Sequence, residues 1–175
     1  SSKTSMIEIQ KHVYVEKEFK DSWLETNEFG DSYIKEELQG GYHYHFDQQF
    51  LEIFFNTGGK IELYNYSIKK NDLIISGEMI PPKTIRLVHP HLDNVTSEGV
   101  IIHELGHYFD EKHQFSSSKQ FTKLYKKYRT LFNQKTKKEY FAECFKEYVG
   151  GHQEKVKPFH SYMKTITQKI RQKNK

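Results

Sequence analysis

The segment Val100-Ile-Ile-His-Glu-Leu-Gly-His-Tyr-Phe-Asp110 constrains this chain more than any other. It contains two histidines four residues apart, His103 and His107, and Glu104 follows the first of them. On an α-helix this spacing places both imidazoles on one face, about 6 Å apart, close enough to share one metal ion. The pattern His-Glu-x-x-His therefore predicts a zinc site, with Glu104 in reach of a water molecule at the metal.

The same pattern can arise by chance on a solvent-exposed helix, but its neighbours argue against that reading. They are apolar: Val100, Ile101, Ile102, Leu105, Tyr108 and Phe109. A helix with such neighbours is expected to be buried, and two polar imidazoles on a buried helix need a partner. We therefore expect a metal site here.

Length and composition indicate one folded domain of 175 residues. The hydrophobic fraction is only 35%, but 15% of the residues are aromatic and can build a core, which argues against disorder. We predict an α+β, zincin-like single domain over residues 1–175. Residues 1–95 supply helices and a small mixed β-sheet packed on the His-Glu-x-x-His helix. Residues 96–175 form a mostly helical part that carries the zinc site.

Hydrophobic periodicity and turn residues predict the individual elements. The N-terminal half is expected to hold an extended arm over 6–15, a helix over 16–38 broken near Gly30, a helix over 42–55, and strands at 61–66, 73–76 and 84–88. The next helix runs to Lys112, with Thr96 or Ser97 as its N-cap and Glu98 in its first turn. Further helices are predicted over 120–132, 139–149 and 156–173.

A catalytic zinc ion takes three protein ligands, and two candidates compete for the third position. His113 gives the spacing of metzincins, but those enzymes have a glycine where this chain has Asp110. Glycine permits the sharp turn that folds the third histidine back. If the helix simply continues, His113 points away from the ion.

The second candidate is the later segment Glu139-Tyr-Phe-Ala-Glu143, whose two carboxylates share one helix face. One carboxylate can bind the metal while the other accepts a hydrogen bond from a ligand histidine. The simpler interpretation is a solvated acidic ridge, in which Glu139, Glu143 and Glu147 alternate with Lys138 and Lys146. Spacing favours the Glu139 helix over His113 without excluding either.

Two segments together resemble the catalytic domain of anthrax lethal factor, in a family that includes the bacterial Pro-Pro endopeptidases. They are Ser97-Glu-Gly-Val-Ile-Ile-His-Glu-Leu-Gly-His-Tyr-Phe-Asp-Glu111 and Glu139-Tyr-Phe-Ala-Glu-Cys-Phe145. The resemblance is fainter over Ile80–Pro90 and does not extend before about Gly58. Where this chain has Glu139-Tyr-Phe-Ala-Glu143, the family has Glu-Phe-Phe-Ala-Glu, and its first glutamate binds zinc.

The resemblance thus implies that His103, His107 and Glu139 bind Zn²⁺, with Glu143 and Asp110 supporting those ligands from outside. One position departs from the family, which has a tyrosine seven residues before the ligand glutamate that is thought to stabilise the oxyanion. That position is Phe132 here, and phenylalanine has no donor. Either Tyr128 takes the role, or Tyr140 does, or it is unfilled. We assign Tyr128 as the candidate.

These observations predict a zinc endopeptidase in which Glu104 is the general base. The substrate is expected to be a peptide or protein, bound as an added strand at a sheet edge formed by Thr84–Val88 or the stretch before it. Two alternatives stay open: a metzincin-like peptidase that uses His113, and a weak or inactive toxin-type binding module that keeps the zinc site.

Charge and hydropathy bear on partners and location. The net charge of +4 does not by itself indicate nucleic-acid binding, and we expect no such partner. No run approaches the roughly 18 apolar residues of a membrane span. The single cysteine, Cys144, excludes an intrachain disulfide. We expect a monomer, and the resemblance implies a secreted protein whose signal peptide has been removed.

Overall fold

A computed structural model of the chain describes residues 5–92 and 98–173. The strands are β1 (Met6–Gln10), β2 (Val13–Glu16), β3 (Lys60–Tyr64), β4 (Ile68–Lys70), β5 (Leu73–Ile75), β6 (Gly77–Ile80) and β7 (Thr84–Val88). The helices are α1 (Lys20–Leu24), α2 (Tyr33–Leu38), α3 (Gln49–Asn56), α4 (Val100–His113), α5 (Lys119–Lys127), α6 (Lys137–Val149) and α7 (His160–Gln172). The predicted α+β fold with a helical C-terminal half is confirmed.

Five strands form one mixed sheet in the order β1-β2-β3-β7-β6. The central strands β2, β3 and β7 are parallel, whereas β1 and β6 run antiparallel to their neighbours at the two edges. Two rows of buried side chains cross the central strands: Val13, Ile61 and Ile85, then Val15, Leu63 and Leu87. Because side chains alternate along a strand, both rows lie on one face, and that face packs into the core.

Helix α4 contacts the sheet through β6 and β7, and it also contacts α6. The two helices approach closely at Gly106, where an added Cβ would lie 3.1 Å from Ala142 Cα and 3.1 Å from Phe145 Cβ. Thr136 caps α6, since its hydroxyl accepts a hydrogen bond from Glu139 N at 3.1 Å. This close crossing brings the histidine face of α4 next to the first turn of α6.

The elements of the N-terminal half differ from the predicted ones. Residues 6–16 form the antiparallel hairpin β1–β2, where the sequence predicts one short strand or extended arm. The helix predicted over 16–38 is the two short helices α1 and α2, because the Asn27 side chain accepts hydrogen bonds from Phe29 N and Asp31 N and closes a turn between them. The helix predicted over 42–55 begins only at Gln49, and neither β4 nor β6 is among the predicted strands.

The helices of the C-terminal half lie close to their predicted positions. Helix α4 begins at Val100 after Gly99, which has φ +75°, so Glu98 precedes the helix instead of lying in its first turn. The expected caps Thr96 and Ser97 lie outside the described residues. Helix α5 ends at Lys127, earlier than predicted. On α7, the predicted apolar positions Tyr162, Met163, Ile166 and Ile170 are buried, as is Phe159 before it. Among the described residues, no helix combines the length and apolarity that crossing a membrane requires.

Candidate metal centre and active-site cleft

Three side chains from α4 and α6 bring metal-binding atoms together. Ligand atoms of His103, His107 and Glu139 all lie within 4.8 Å of one another. Glu139 reaches both histidines, with Oε2 2.9 Å from His103 Nε2 and Oε1 2.9 Å from His107 Nε2. Two imidazoles and one carboxylate are a donor set that a catalytic zinc ion accepts. The arrangement therefore fits a metal ion, and the predicted ligands are the residues that the fold brings together.

A fourth side chain orients the first histidine. Glu143, one turn after Glu139 on α6, places Oε2 2.8 Å from His103 Nδ1. If Nδ1–H donates to this carboxylate, His103 keeps the tautomer that leaves Nε2 available to a metal. The contact that the resemblance implies for Glu143 is thus present in the structure.

The side chains of the cluster form an ion-paired network. Burial lowers the pKa of His103, but its hydrogen bonds with Glu139 and Glu143 outweigh that effect and raise it to about 10. Hydrogen bonds from His103 and His107 hold the pKa of Glu139 well below its ordinary value. A cation bound by these residues would therefore compete with the proton of the imidazole.

Glu104 lies next to the cluster and is buried, with 7% of its surface exposed. Burial raises the pKa of Glu104, and the negative charge of Glu139 adds to this, while both histidines and a hydrogen bond from the Met79 backbone act in the opposite direction. A raised pKa makes a carboxylate a stronger proton acceptor than an ordinary glutamate. Glu104 is thus a buried carboxyl group beside the predicted metal ligands, and its role as general base stays a prediction.

These residues line a cleft of about 610 Å³. The cleft is lined by the segment 74–79 followed by Pro81, and by residues of α4 and of α6 as far as Lys146. Strand β6 is an edge of the sheet, and its Met79 backbone bonds to Glu104. The predicted substrate edge is wrong for Thr84–Val88, because β7 lies between β3 and β6, whereas the stretch before it is the edge strand at the cleft.

The structure places His113 away from the cluster. Helix α4 continues through Asp110, and the left-handed residue that ends it is Gln114, with φ +59°. His113 stacks on Phe115 with ring centroids 5.0 Å apart. Asp110 also borders the cleft, and its Oδ1 accepts a hydrogen bond from Ser116 N at 2.7 Å. Asp110 therefore holds the end of α4, and its predicted support of the ligands stays a prediction.

The two tyrosines considered as oxyanion donors, Tyr128 and Tyr140, make their contacts outside the cleft. The Tyr128 ring packs against Phe159, with centroids 6.1 Å apart. Tyr140 is fully buried, and its hydroxyl donates a hydrogen bond to the Tyr128 carbonyl. Phe132 lies against the Tyr140 ring at 5.4 Å. No tyrosine lines the cleft within the described ranges, so the position of Tyr128 does not support its predicted role.

Two groups that contact the site residues are not among the predicted site residues: the Met79 backbone and the Lys146 side chain. The Met79 backbone reaches Glu104 only because β6 pairs with β7, a long-range contact that local patterns do not reveal. Lys146 lies 3.1 Å from Glu143 Oε2. Its spacing of three residues from Glu143 on a helix is a sequence signal for an ion pair, although the same spacing occurs on solvated ridges.

Comparison with known proteins finds likeness in structure only. No protein-family model matches the chain, and no curated protein sequence matches it. Among solved structures, the chain is similar to the Pro-Pro endopeptidase PPEP-2 from Paenibacillus alvei, with a TM-score of 0.58 and 15% sequence identity. The match covers 94% of this chain and 98% of that one. At this identity the likeness shows a shared fold over nearly the whole chain.

Proposed function

We propose that the chain is a zinc-dependent endopeptidase. The observation that carries the proposal is the convergence of His103, His107 and Glu139 in a cleft that also holds the buried carboxyl of Glu104. The shared fold with a protein named as an endopeptidase supports it. So does the sequence resemblance, which is strongest over the two helices that carry the four residues.

In this proposal His103, His107 and Glu139 hold the ion, and Glu143 keeps His103 in the required tautomer. A bound zinc ion would supply Lewis acidity, which polarises a carbonyl group and lowers the pKa of water. Glu104 accepts the proton of the attacking water and returns it to the leaving amine. The elevated pKa of Glu104 suits both transfers, because the carboxyl group must be protonated and deprotonated once in each cycle.

The substrate would be an extended peptide that adds a strand along the outer edge of β6. Such pairing is made by hydrogen bonds to the peptide backbone. Any preference for particular substrate side chains would come from contacts with the cleft wall. Ile74, Ile75 and Met79 give part of that wall an apolar surface. The proposal also includes secretion, which the resemblance implies, and a monomeric state, which stays an expectation.

The test is the substitution Glu104→Gln, assayed on a peptide library with added zinc and read by mass spectrometry. Loss of the general base should reduce cleavage by about 10²–10⁴-fold while zinc stays bound, since Glu104 is not a ligand. Glu111→Gln is a matched control, because Glu111 is an exposed glutamate on the same helix that borders the same cleft. Undiminished cleavage by Glu104→Gln would reject the assignment of the base.

One observation favours a second candidate, a binding module with a weak or inactive zinc site. Phe132 stands where the resembled family has its tyrosine, and within the described ranges no tyrosine borders the cleft. Losing one oxyanion donor typically costs about 10²–10³ in rate. Stoichiometric zinc binding without cleavage of any library peptide would favour this candidate over the peptidase.

A further inference from the structure

A row of charged side chains runs along α6 from the predicted metal ligands. Lys146 Nζ lies 3.2 Å from Glu143 Oε1 and 3.1 Å from Glu143 Oε2, so it contacts both carboxylate oxygens. Glu143 is the residue that accepts from His103 Nδ1. On its other side, Lys146 lies 3.7 Å from Glu147 Oε1. The ammonium group is thus held between two carboxylates, one of which contacts a predicted metal ligand.

These charges are largely removed from solvent. The exposed side-chain fraction is 15% for Lys146, 16% for Glu143 and 7% for Glu147. Glu147 is fixed in turn by Tyr44, whose hydroxyl donates to Oε1 at 2.8 Å. Burying ion pairs is costly for stability, and replacing them with apolar residues is often neutral or stabilising. Stability alone is therefore a weak explanation for these ion pairs beside the predicted metal ligands.

The Lys146 stem is also confined by the backbone. Gly99, the residue before α4, approaches it so closely that an added Cβ would lie 2.7 Å from Lys146 Cδ. Since Gly99 has φ +75°, the turn into α4 both requires a glycine and brings the chain against this stem. The side chain is therefore held in place at its stem as well as at its ammonium group.

We infer that Lys146 is a positioning residue of the metal site, fixing the Glu143 carboxylate and thereby the orientation of His103. This inference rests on the proposed zinc site. Lys146 has two opposing effects on a bound cation. Its positive charge repels the cation, whereas its hold on Glu143 organises a ligand. If positioning dominates, removing Lys146 weakens metal binding, and if charge dominates, removing it tightens binding.

Lys146→Met keeps most of the stem and removes the ammonium group. We expect it to weaken zinc binding by about 10-fold, the lower end of the effect of losing a residue that supports a ligand. Zinc affinity is measured by competition with a chromophoric chelator, and the visible spectrum of the Co²⁺-substituted protein reports changes in ligand geometry. Lys138→Met is the control, because Lys138 is an exposed cation on the same helix that borders the same cleft. It should not weaken zinc binding.

A double-mutant cycle tests whether Lys146 acts through Glu143. In a Glu143→Ala background, adding Lys146→Met should cause no further loss of affinity. Unchanged or tighter zinc binding by Lys146→Met, or an equal loss in both backgrounds, would overturn the inference. Should Lys146→Met fail to fold, Tyr44→Phe provides a second test. It removes the hydroxyl that donates to Glu147 Oε1 but leaves Glu147 Oε2 3.3 Å from His152 Nδ1. Tyr44→Phe should also weaken zinc binding, and unchanged affinity would count against the inference. Failure of the unsubstituted protein to bind zinc would instead reject the proposed function.

Discussion

Glu139 and His113 are both sequence candidates for the third ligand, yet the fold gives their side chains opposite surroundings. Glu139 faces two imidazole nitrogens at 2.9 Å each. His113 stacks on Phe115, and its Nε2 is buried without a hydrogen-bond partner in the described part of the chain. The difference arises because α4 stays helical through Asp110 and turns only at Gln114.

This contrast predicts how zinc binding responds to single substitutions. Glu139→Gln should abolish stoichiometric binding, because it removes the charged ligand, whereas His113→Gln should leave binding unchanged. Bound zinc is measured by elemental analysis after dialysis. The reverse result, with loss only in His113→Gln, would establish the metzincin-like alternative.

His113 also predicts a pH dependence of stability. Burial and the positive charge of three nearby lysines lower the pKa of His113 from 6.5 to about 4. The unfolded state therefore binds more protons between these values, so the neutral imidazole stabilises the fold above pH 6.5, and this contribution is lost as the pH falls towards 4. His113→Phe keeps an aromatic ring on Phe115 and should lose less stability over that interval than the unsubstituted protein. Urea unfolding at pH 7 and pH 4.5 makes the comparison, and equal losses in both proteins would refute it.

At the scale of elements, the site depends on how closely α4 and α6 cross. Gly106 lies inside the His-Glu-x-x-His segment and faces Ala142 Cα and the Cβ of Phe145 at the crossing. These are a backbone atom and the first side-chain atom of a buried ring, and neither can move without shifting α6. A methyl group at this position would separate the helix that carries the histidines from the one that carries Glu139.

Gly106→Ala should therefore weaken zinc binding and destabilise the protein. Overpacking typically costs about 1–3 kcal/mol, which exceeds or cancels the roughly 1 kcal/mol gained in helix propensity. The free energy of unfolding in the presence of chelator isolates the packing effect, and chelator competition measures affinity. A more stable variant with unchanged affinity would show that the helices tolerate greater separation.

The hairpin β4–β5 places apolar side chains in solvent near the cleft. Leu73 is 57% exposed and Ile74 is 49% exposed, and Ile74 borders the cleft. Such exposure contributes little to stability but offers apolar surface to a bound chain. Ile74→Ser should raise KM several-fold for a cleaved peptide with little change in Tm. Leu131→Ser is the control, because Leu131 is 39% exposed and does not border the cleft. An equal effect of both substitutions on KM would exclude a role for the hairpin.

Elements differ in how far the sequence predicts them. The helices α4, α6 and α7 were predictable because each carries a long apolar face, and α6 also has the cap Thr136. Strand β6 has four half-buried residues between a bend and two prolines, so its residues show no alternating pattern. It is a strand because it pairs with β7. The loop that separates α1 from α2 depends on hydrogen bonds to a single asparagine side chain. Short elements set by long-range pairing or one side chain leave little periodic signal.

For the whole molecule, a metal ion at the cluster would join two helices that are separate in sequence. Since the three donors meet only in the folded state, binding should stabilise the fold. Free zinc at 100 times its Kd should add about 2.7 kcal/mol to the free energy of unfolding. Differential scanning calorimetry should show a higher Tm with zinc and the lower value after chelation. Glu139→Gln should show no such shift, and a zinc-independent Tm in the unsubstituted protein would contradict the prediction.

The candidate site was predictable where its residues share a helix and not where they meet through the fold. His103, Glu104 and His107 follow from spacing on α4, and the contact of Glu143 with His103 follows from spacing on α6. Tyr128 could not be placed from spacing, because α5 ends at Lys127 and the chain beyond turns its ring onto Phe159. The cleft wall opposite α4 comes from strands whose register is set by the whole sheet.

The two edges of the five-stranded sheet also bear on self-assembly. An unprotected edge strand can recruit the same strand of another copy and begin a fibre. On β1 the register shifts between Glu8 and Gln10, and such an irregularity breaks the regular row of hydrogen bonds that a second copy would need. On β6, residues Gly77, Glu78 and Met79 line the cleft together with residues of α4 and α6, so this edge does not face open solvent along its whole length. Neither edge therefore offers the regular, open row of hydrogen-bonding groups that growth by edge-to-edge pairing of copies requires.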